Sequence, residues 1–380
     1  MINRISQTLV KVESNPDFVN LMSTNFLEFA MKEGINFSSK LLSKLASNYF
    51  NKQSYHPDSR GLLTARQSIC KYYKQQNIQA HVENIIITAS TSESYSLIFN
   101  SLTNPGDEVL LPNPSYPLFE YLCSYSNLVS KYYLLDQDKN WQIDCDVLEK
   151  IVTVKTKGII LISPNNPTGS IISQKVIDRI VQIAKRRKLF IIFDEVFSEF
   201  RNCVKLPRPQ KNSIIPIFYL NGISKMLALP DLKLAWIVYF GSNSVSIIDN
   251  IETVNDTYLN ANYLTQTMLP ELLNQNKKLI SGINYILEKN RKLIENFLIE
   301  NSNKITGHIG EGGIHCILSL ISNLKEEDFV VKLLENQKVY LHPGYFYDLE
   351  NKKHQINIVI SLLTDPKTLL KGLNSIINNI

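Results

Sequence analysis

Lys225 closes the segment Asn221-Gly222-Ile223-Ser224-Lys225, directly behind the apolar run Ile215–Leu220. A single lysine among 40 Lys and Arg residues is normally a solvated surface charge. A lysine that leaves a buried strand through a Gly/Ser turn is instead partly desolvated, which favours the neutral amine and makes it a better nucleophile. Three other strand exits carry chemistry of their own. Asp194-Glu195-Val196-Phe197 follows the run Leu189–Phe193. An acid there can cap a helix, hold a metal or pair with a buried ring nitrogen. No His or second acid sits at metal spacing, so no metal is expected. Ser163-Pro164-Asn165-Asn166-Pro167-Thr168-Gly169 follows Gly158–Ile162. Two prolines, two asparagines and a glycine fix a loop and point amides such as that of Asn166 into a crevice. Ala89-Ser90-Thr91-Ser92 follows Asn84–Thr88 and opens a helix. Small hydroxylated residues there cap the helix, and together with free backbone N–H groups they can surround a phosphate.

These exits need elements to hold them. From about Gly61 to Phe240, segments of helical period (Leu62–Gln76, Ser92–Leu102, Val176–Lys188) alternate with short apolar runs, among them Glu108–Leu111. Strands apolar on both faces and separated by helices predict an α/β fold with a mostly parallel central sheet covered on two sides. Ligands of such sheets sit beyond the carboxyl ends of the strands. After Gly241 the pattern changes to long helices (Ser246–Asn260, Leu264–Leu273, Leu279–Asn301). Strand candidates Ile314–Leu320 and Ile356–Leu362 then flank the helix Glu326–Asn336. The expected division is a large domain at 45–265 and a smaller α+β domain made of 1–44 and 266–380.

Composition sets the outer bounds. The chain has 380 residues, 44% of them apolar and 20% charged, with a net charge of +5. That is ordinary soluble composition without a nucleic-acid footprint. The dense basic run Lys185–Lys188 ends an amphipathic stretch and suits a helix C-terminus. Five scattered cysteines with no CxxC pair argue against a disulfide framework or a zinc site. Met1 to Asp17 holds no apolar signal core, and no apolar run reaches membrane-spanning length. The expectation is a cytoplasmic, reduced protein with no membrane partner.

Taken together and in order, Pro-Asn-Asn-Pro-Thr-Gly, Asp-Glu-Val-Phe, and Ser-Lys with Leu229-Pro230-Asp231-Leu232-Lys233 behind it resemble the class I/II aminotransferases of fold type I. The resemblance runs from about Tyr55 to Leu363. It implies the three-layer pyridoxal-phosphate transferase fold, pyridoxal 5'-phosphate as cofactor, a small-molecule amino donor and oxo acceptor, and a homodimer with shared sites. Lys225 matches the lysine that carries the cofactor as a Schiff base and shuttles the proton. Asp194 matches the carboxylate that pairs with the pyridinium nitrogen, and Asn166 the asparagine on the ring oxygen. Tyr116, in Pro114-Ser115-Tyr116-Pro117, matches the stacking aromatic. Ser90, Thr91 and Ser92 match the phosphate loop, with Ser224, Gly222 and Lys233 in the same cup. Tyr55 matches the tyrosine that reaches a phosphate across the dimer interface.

The departures bear on substrate. Lys233 stands where arginine is usual, Phe197 where tyrosine is common, and Ser90 where glycine is common. In Ile358-Val359-Ile360-Ser361, Val359 occupies the place of the arginine that clamps the α-carboxylate. Either another basic residue supplies the clamp, with Arg201 and Arg60 as the candidates, or the substrate lacks a standard α-carboxylate. The segment His342-Pro343-Gly344-Tyr345-Phe346 resembles the family's substrate-side Pro-Gly turn. The same fold also hosts β-lyases, decarboxylases and synthases, which remain the alternative reading. The residues before Tyr55 carry no helix-turn-helix pattern, which sets aside an effector domain of a transcription regulator.

Overall fold

The computed structural model describes residues 4–22, 34, 39–50, 57–202, 205–209, 214–242, 244–259, 261–352 and 354–380. In chain order the strands among them are β1 Val19–Asn20, β2 Ile85–Thr88, β3 Glu108–Asn113, β4 Val129–Asp136, β5 Gln142–Ile143, β6 Thr156–Ile162, β7 Phe190–Asp194, β8 Ile217–Gly222, β9 Ala235–Phe240, β10 Ile305–Ile309, β11 His315–Ile321, β12 Val339–Tyr340, β13 His342–Pro343 and β14 Gln355–Ser361.

An 8-stranded sheet runs in the order β2-β9-β8-β7-β6-β3-β4-β5. The strands β8, β7, β6, β3 and β4 are parallel, while β9 and β5 pair antiparallel with their neighbours. Strands β2, β6, β7, β8 and β9 are buried along nearly their whole length. Their isoleucine-rich runs feed two cores. Ile87, Ile159, Ile191 and Val238 face one layer with Ile69, Ile177 and Ile180 of the helices Leu63–Gln75 and Gln174–Arg187. Ile86, Ile160, Ile192 and Ile237 face the other, with Tyr95, Ile98 and Phe99 of the helix Thr91–Leu102. Alternation along each strand therefore makes the three layers.

Because β2 and β8 both lie antiparallel to β9, Thr88 and Gly222 flank the same residue, Ala235. The carboxyl ends of β2, β3, β6, β7 and β8 thus share one edge of the sheet. The chain winds from β3 to β4 in one direction and from β6 through β7 to β8 in the other, so the topology reverses between β3 and β6. That reversal is where α/β sheets open a crevice.

Downstream, the 25-residue helix Asn276–Glu300 leads to a 4-stranded antiparallel sheet in the order β10-β11-β14-β13. The N-terminal segment joins this part of the chain. β1 runs parallel to β12, and Arg4 pairs with Asp328 at 2.6 Å. Two glycines fix how the loops meet. Gly169 has φ +65, and a side chain there would place Cβ 2.4 Å from the Gly312 carbonyl, so the Pro-Asn-Asn-Pro-Thr-Gly loop backs directly onto the loop ahead of β11. A Cβ on Gly222 would meet the Leu234 carbonyl at 2.9 Å, so only glycine lets β8 end flush against the start of β9.

Candidate active site

Five strand exits and one wall from the second sheet enclose a cavity of about 420 Å³, within the range of small-molecule sites. Its lining includes Ser90, Thr91, Ser92, Tyr116, Asn166, Asp194, Phe197, Gly222, Ser224 and Lys225. Residues read from scattered strand ends therefore converge.

The floor is Asp194, the last residue of β7. It is 4% exposed, and burial pushes its carboxyl up to about 6. Two donors oppose that push. The Tyr95 hydroxyl donates to Oδ2 at 2.9 Å and the Val196 N–H to Oδ1 at 3.1 Å. Behind it, Glu195 is fully buried, forms an ion pair with Arg208 and accepts from the Tyr73 hydroxyl at 2.7 Å. This rigid network keeps the β7 exit in place. Among the described residues no cationic side chain pairs with Asp194, so a buried carboxylate is left aimed into the cavity.

Lys225 lies in the short helical turn Ile223–Met226 that follows β8. Burial and then the nearby charge of Lys233 hold its ammonium below the usual lysine range. Lys233 itself is exposed, has φ +44 and stands outside the lining, although Leu234 and Ala235 belong to it. On the β6 exit, Asn166 has a buried side-chain oxygen without a hydrogen-bond partner among the described residues. Oxygen and nitrogen of an amide are exchangeable by a flip, so the observation is that one polar tip of Asn166 awaits a partner.

At the β2 exit, Ser90 caps the helix Thr91–Leu102 by accepting from the Glu93 N–H at 3.1 Å, while the Glu93 side chain folds back to the Ala89 N–H. This capping box leaves the first amides of a twelve-residue helix at the cavity, which is an anion site by construction. Tyr116, 47% exposed, forms one side of the mouth. Tyr55 lies outside the described residues.

Pyridoxal phosphate fits this set of donors. The orphaned polar tip of Asn166, the cation-free buried Asp194, the helix N-terminus with its hydroxyls and the depressed lysine correspond to a ring oxygen, a ring N–H, a phosphate and an aldehyde.

The remaining wall comes from outside the large sheet: Met22, Ile314, His315, His342 and Tyr347. Sequence reading did not single out Tyr95, Met22 or His315. The only signal for Tyr95 was an aromatic with a polar tip on the sheet-facing side of its helix. Neither arginine named as a substitute clamp reaches the cavity. Arg60 is held by Glu252 and by Asp249 at 2.8 Å, both on the helix Ser244–Tyr258. Arg201 pairs through its backbone with Gly312. Both expectations are corrected: the Arg60 side chain is tied to that helix, and Arg201, whose Nε is buried without a hydrogen-bond partner among the described residues, is not part of the lining. Val359 is fully buried in the core and is absent from the lining.

Comparison with known proteins agrees with this geometry. Residues 19–374 match the family model described as aminotransferase class I and II. A tyrosine aminotransferase of Dictyostelium discoideum is 28% identical over 82% of this chain and 77% of its own. An S-alkyl-thiohydroximate lyase of Arabidopsis thaliana is 28% identical over 84% of this chain and 72% of its own. Among solved structures, an alanine aminotransferase from Pyrococcus furiosus superposes with a TM-score of 0.88 at 22% identity, over 98% of this chain and 95% of that one.

Proposed function

The chain belongs to the class I and II aminotransferases, and from that premise we propose how its own residues carry out the transfer. It is a pyridoxal-phosphate-dependent aminotransferase of the α/β, fold type I class. The observation that carries the residue assignment is the meeting of Lys225, Asp194 and Asn166 in one cavity.

Bound there, the cofactor supplies an electron-poor ring that accepts the electron pair left when the Cα–H bond of the donor breaks. Lys225 anchors the cofactor's aldehyde carbon. Its Nζ, facing the cavity, would be the base that takes the proton from the donor's Cα and the acid that delivers it to the carbon that held the aldehyde. Burial, and then the charge of Lys233, shift Nζ toward the neutral form that a base needs. Asp194 offers a buried negative charge to the ring N–H and holds a proton there. Asn166, with its unpartnered polar tip, would hydrogen-bond the ring oxygen. Tyr116 covers one face. Ser90, Thr91, Ser92 and Ser224 would hold the phosphate, while Lys233, outside the lining, places its charge near Lys225. Phe197 carries no hydroxyl, so the ring oxygen depends on Asn166 in this chain.

The division into 45–265 and 1–44 with 266–380 belongs to the same reading, supported by the two separate sheets. So does a homodimer, supported by the exposed aromatic run Tyr116, Tyr121 and Tyr125. A reducing, cytoplasmic setting is supported by the free cysteines Cys70, Cys123, Cys145 and Cys316.

The test separates the two half-reactions. Loaded protein given an amino donor alone should release about one equivalent of oxo product per site and stop, then resume when an oxo acceptor is added. Continuous release of ammonia or thiol without any acceptor would instead establish elimination. That second reading is favoured by the absence of an arginine from the described lining and by the lyase relative.

A further inference from the structure

The arginine place at Val359 lies in a part of the second sheet whose neighbours are histidines. Val359 on β14 stands opposite Ile317 on β11 and opposite His342 on β13. Two residues along, Ser361 stands opposite His315. Opposed residues of an antiparallel ladder project to one face, and residues two apart along a strand share that face. His315, His342 and Val359 therefore occupy the same face, and of the three only the two histidines line the cavity.

The histidines differ in what they have left to offer. His342 is tied at both ring nitrogens, Nδ1 to the Tyr347 hydroxyl at 3.0 Å and Nε2 to the Tyr340 hydroxyl at 3.0 Å. His315 is 4% exposed, and its Nε2 has no hydrogen-bond partner among the described residues. A buried ring nitrogen without a partner is costly unless a ligand completes it.

Charge then selects the ligand. Lys225, whose amine serves the cofactor, is the one Lys or Arg in the described lining, and Asp194 is the one carboxylate. Asp194 is not among the charges that act on His315, so an imidazolium there would face both His342 and Lys225. Burial and those two neighbours push its pKa down to about 3, while burial alone brings His342 to about 4. A substrate carboxylate entering this wall would be desolvated without a cation to meet it. A hydroxyl or carbonyl needs only one hydrogen bond, and a hydroxyl suits either tautomer of the ring.

We propose that His315 is the specificity-determining residue of the substrate wall, and that its Nε2 hydrogen-bonds an uncharged hydroxyl or carbonyl on an amine substrate that lacks an α-carboxylate. The inference rests on the aminotransferase reading above and adds the substrate class to it.

The test uses the pyridoxal-phosphate-loaded protein and matched trios with one side chain each: an L-amino acid, its amino alcohol and its primary amide. The half-saturating concentration is read from the change in cofactor absorbance. Binding of the amine-free acid and alcohol is read by calorimetry. The wild-type protein should favour the alcohol or amide by about tenfold or more, the scale of one well-made hydrogen bond to a buried group. His315→Leu should erase that preference with cofactor loading unchanged, and His315→Gln should keep part of it. A variant that fails to load is replaced by His315→Gln in the comparison. Tighter binding of the amino acid in the wild type would overturn the proposal, as would an unchanged preference in both variants. A protein that never takes up the cofactor at Lys225 would instead overturn the underlying aminotransferase reading, so the two failures are distinguishable.

Discussion

Asp194→Asn should separate stability from cofactor binding, with opposite signs. The Asp194 carboxyl rises from 3.8 to about 6 in the folded chain, chiefly through burial. A gap of that size corresponds to about 3 kcal/mol between ionised and protonated forms. A raised folded pKa means that this contribution is fully present below pH 3.8 and is lost as pH rises through about 6. At pH 7.5 the cofactor-free wild-type chain therefore holds a buried charge at a penalty of ~3 kcal/mol. Asparagine removes the charge, keeps an oxygen for the Val196 N–H, and disturbs only the Tyr95 hydrogen bond. The cofactor-free variant should be more stable than wild type by about 1–2 kcal/mol at pH 7.5, after about 1 kcal/mol is deducted for that hydrogen bond. Near pH 4 the advantage should vanish. Cofactor affinity should fall by two orders of magnitude or more, since removing one partner of a buried charge pair costs about 2–5 kcal/mol. Denaturant unfolding of cofactor-free protein at both pH values, with fluorescence titration of cofactor, reads both effects. An equal loss of stability at pH 4 and 7.5 would refute the reasoning, because it would mean that Asp194 is not a strained charge in the empty site.

Tyr95→Phe removes a charge-assisted donor to Asp194 and should weaken cofactor binding by about 1.5–3 kcal/mol, measured by the same titration. Arg208→Met should destabilise the chain by about 3–5 kcal/mol, because it strands the fully buried Glu195; a midpoint shift in denaturant reads it. The double variant Arg208→Met with Glu195→Gln should recover much of that loss.

The strand exits were legible because each is local. Chain order puts Asn166, Asp194 and Lys225 after apolar runs, and a parallel sheet gathers such exits on one edge whatever the loops between them do. Boundaries drifted by a residue or two. Ile215–Leu220 is observed as Ile217–Gly222, which makes Gly222 part of the strand, and Ile356–Leu362 is observed as Gln355–Ser361. Strand β4 escaped notice because much of it is not buried, and β9 because its run follows the Lys233 turn without a helix between. What sequence could not show is register. His342 reaches Val359 from seventeen residues away and His315 meets Ser361 from forty-six, and no local pattern encodes either pairing. The hydroxyl of Tyr95 likewise meets Asp194 across 99 positions. Arg60 and Arg201 were chosen by proximity in sequence; the ion pairs of Arg60 hold it elsewhere, and Arg201 is not among the lining residues.

The central claim is that Lys225 is the cofactor's anchor. Incubation with pyridoxal phosphate, borohydride reduction and peptide mass mapping tests it directly. The account predicts one reduced adduct per chain, on Lys225 Nζ, and its loss in Lys225→Ala. An adduct spread over surface lysines, or one that persists in Lys225→Ala, would contradict it.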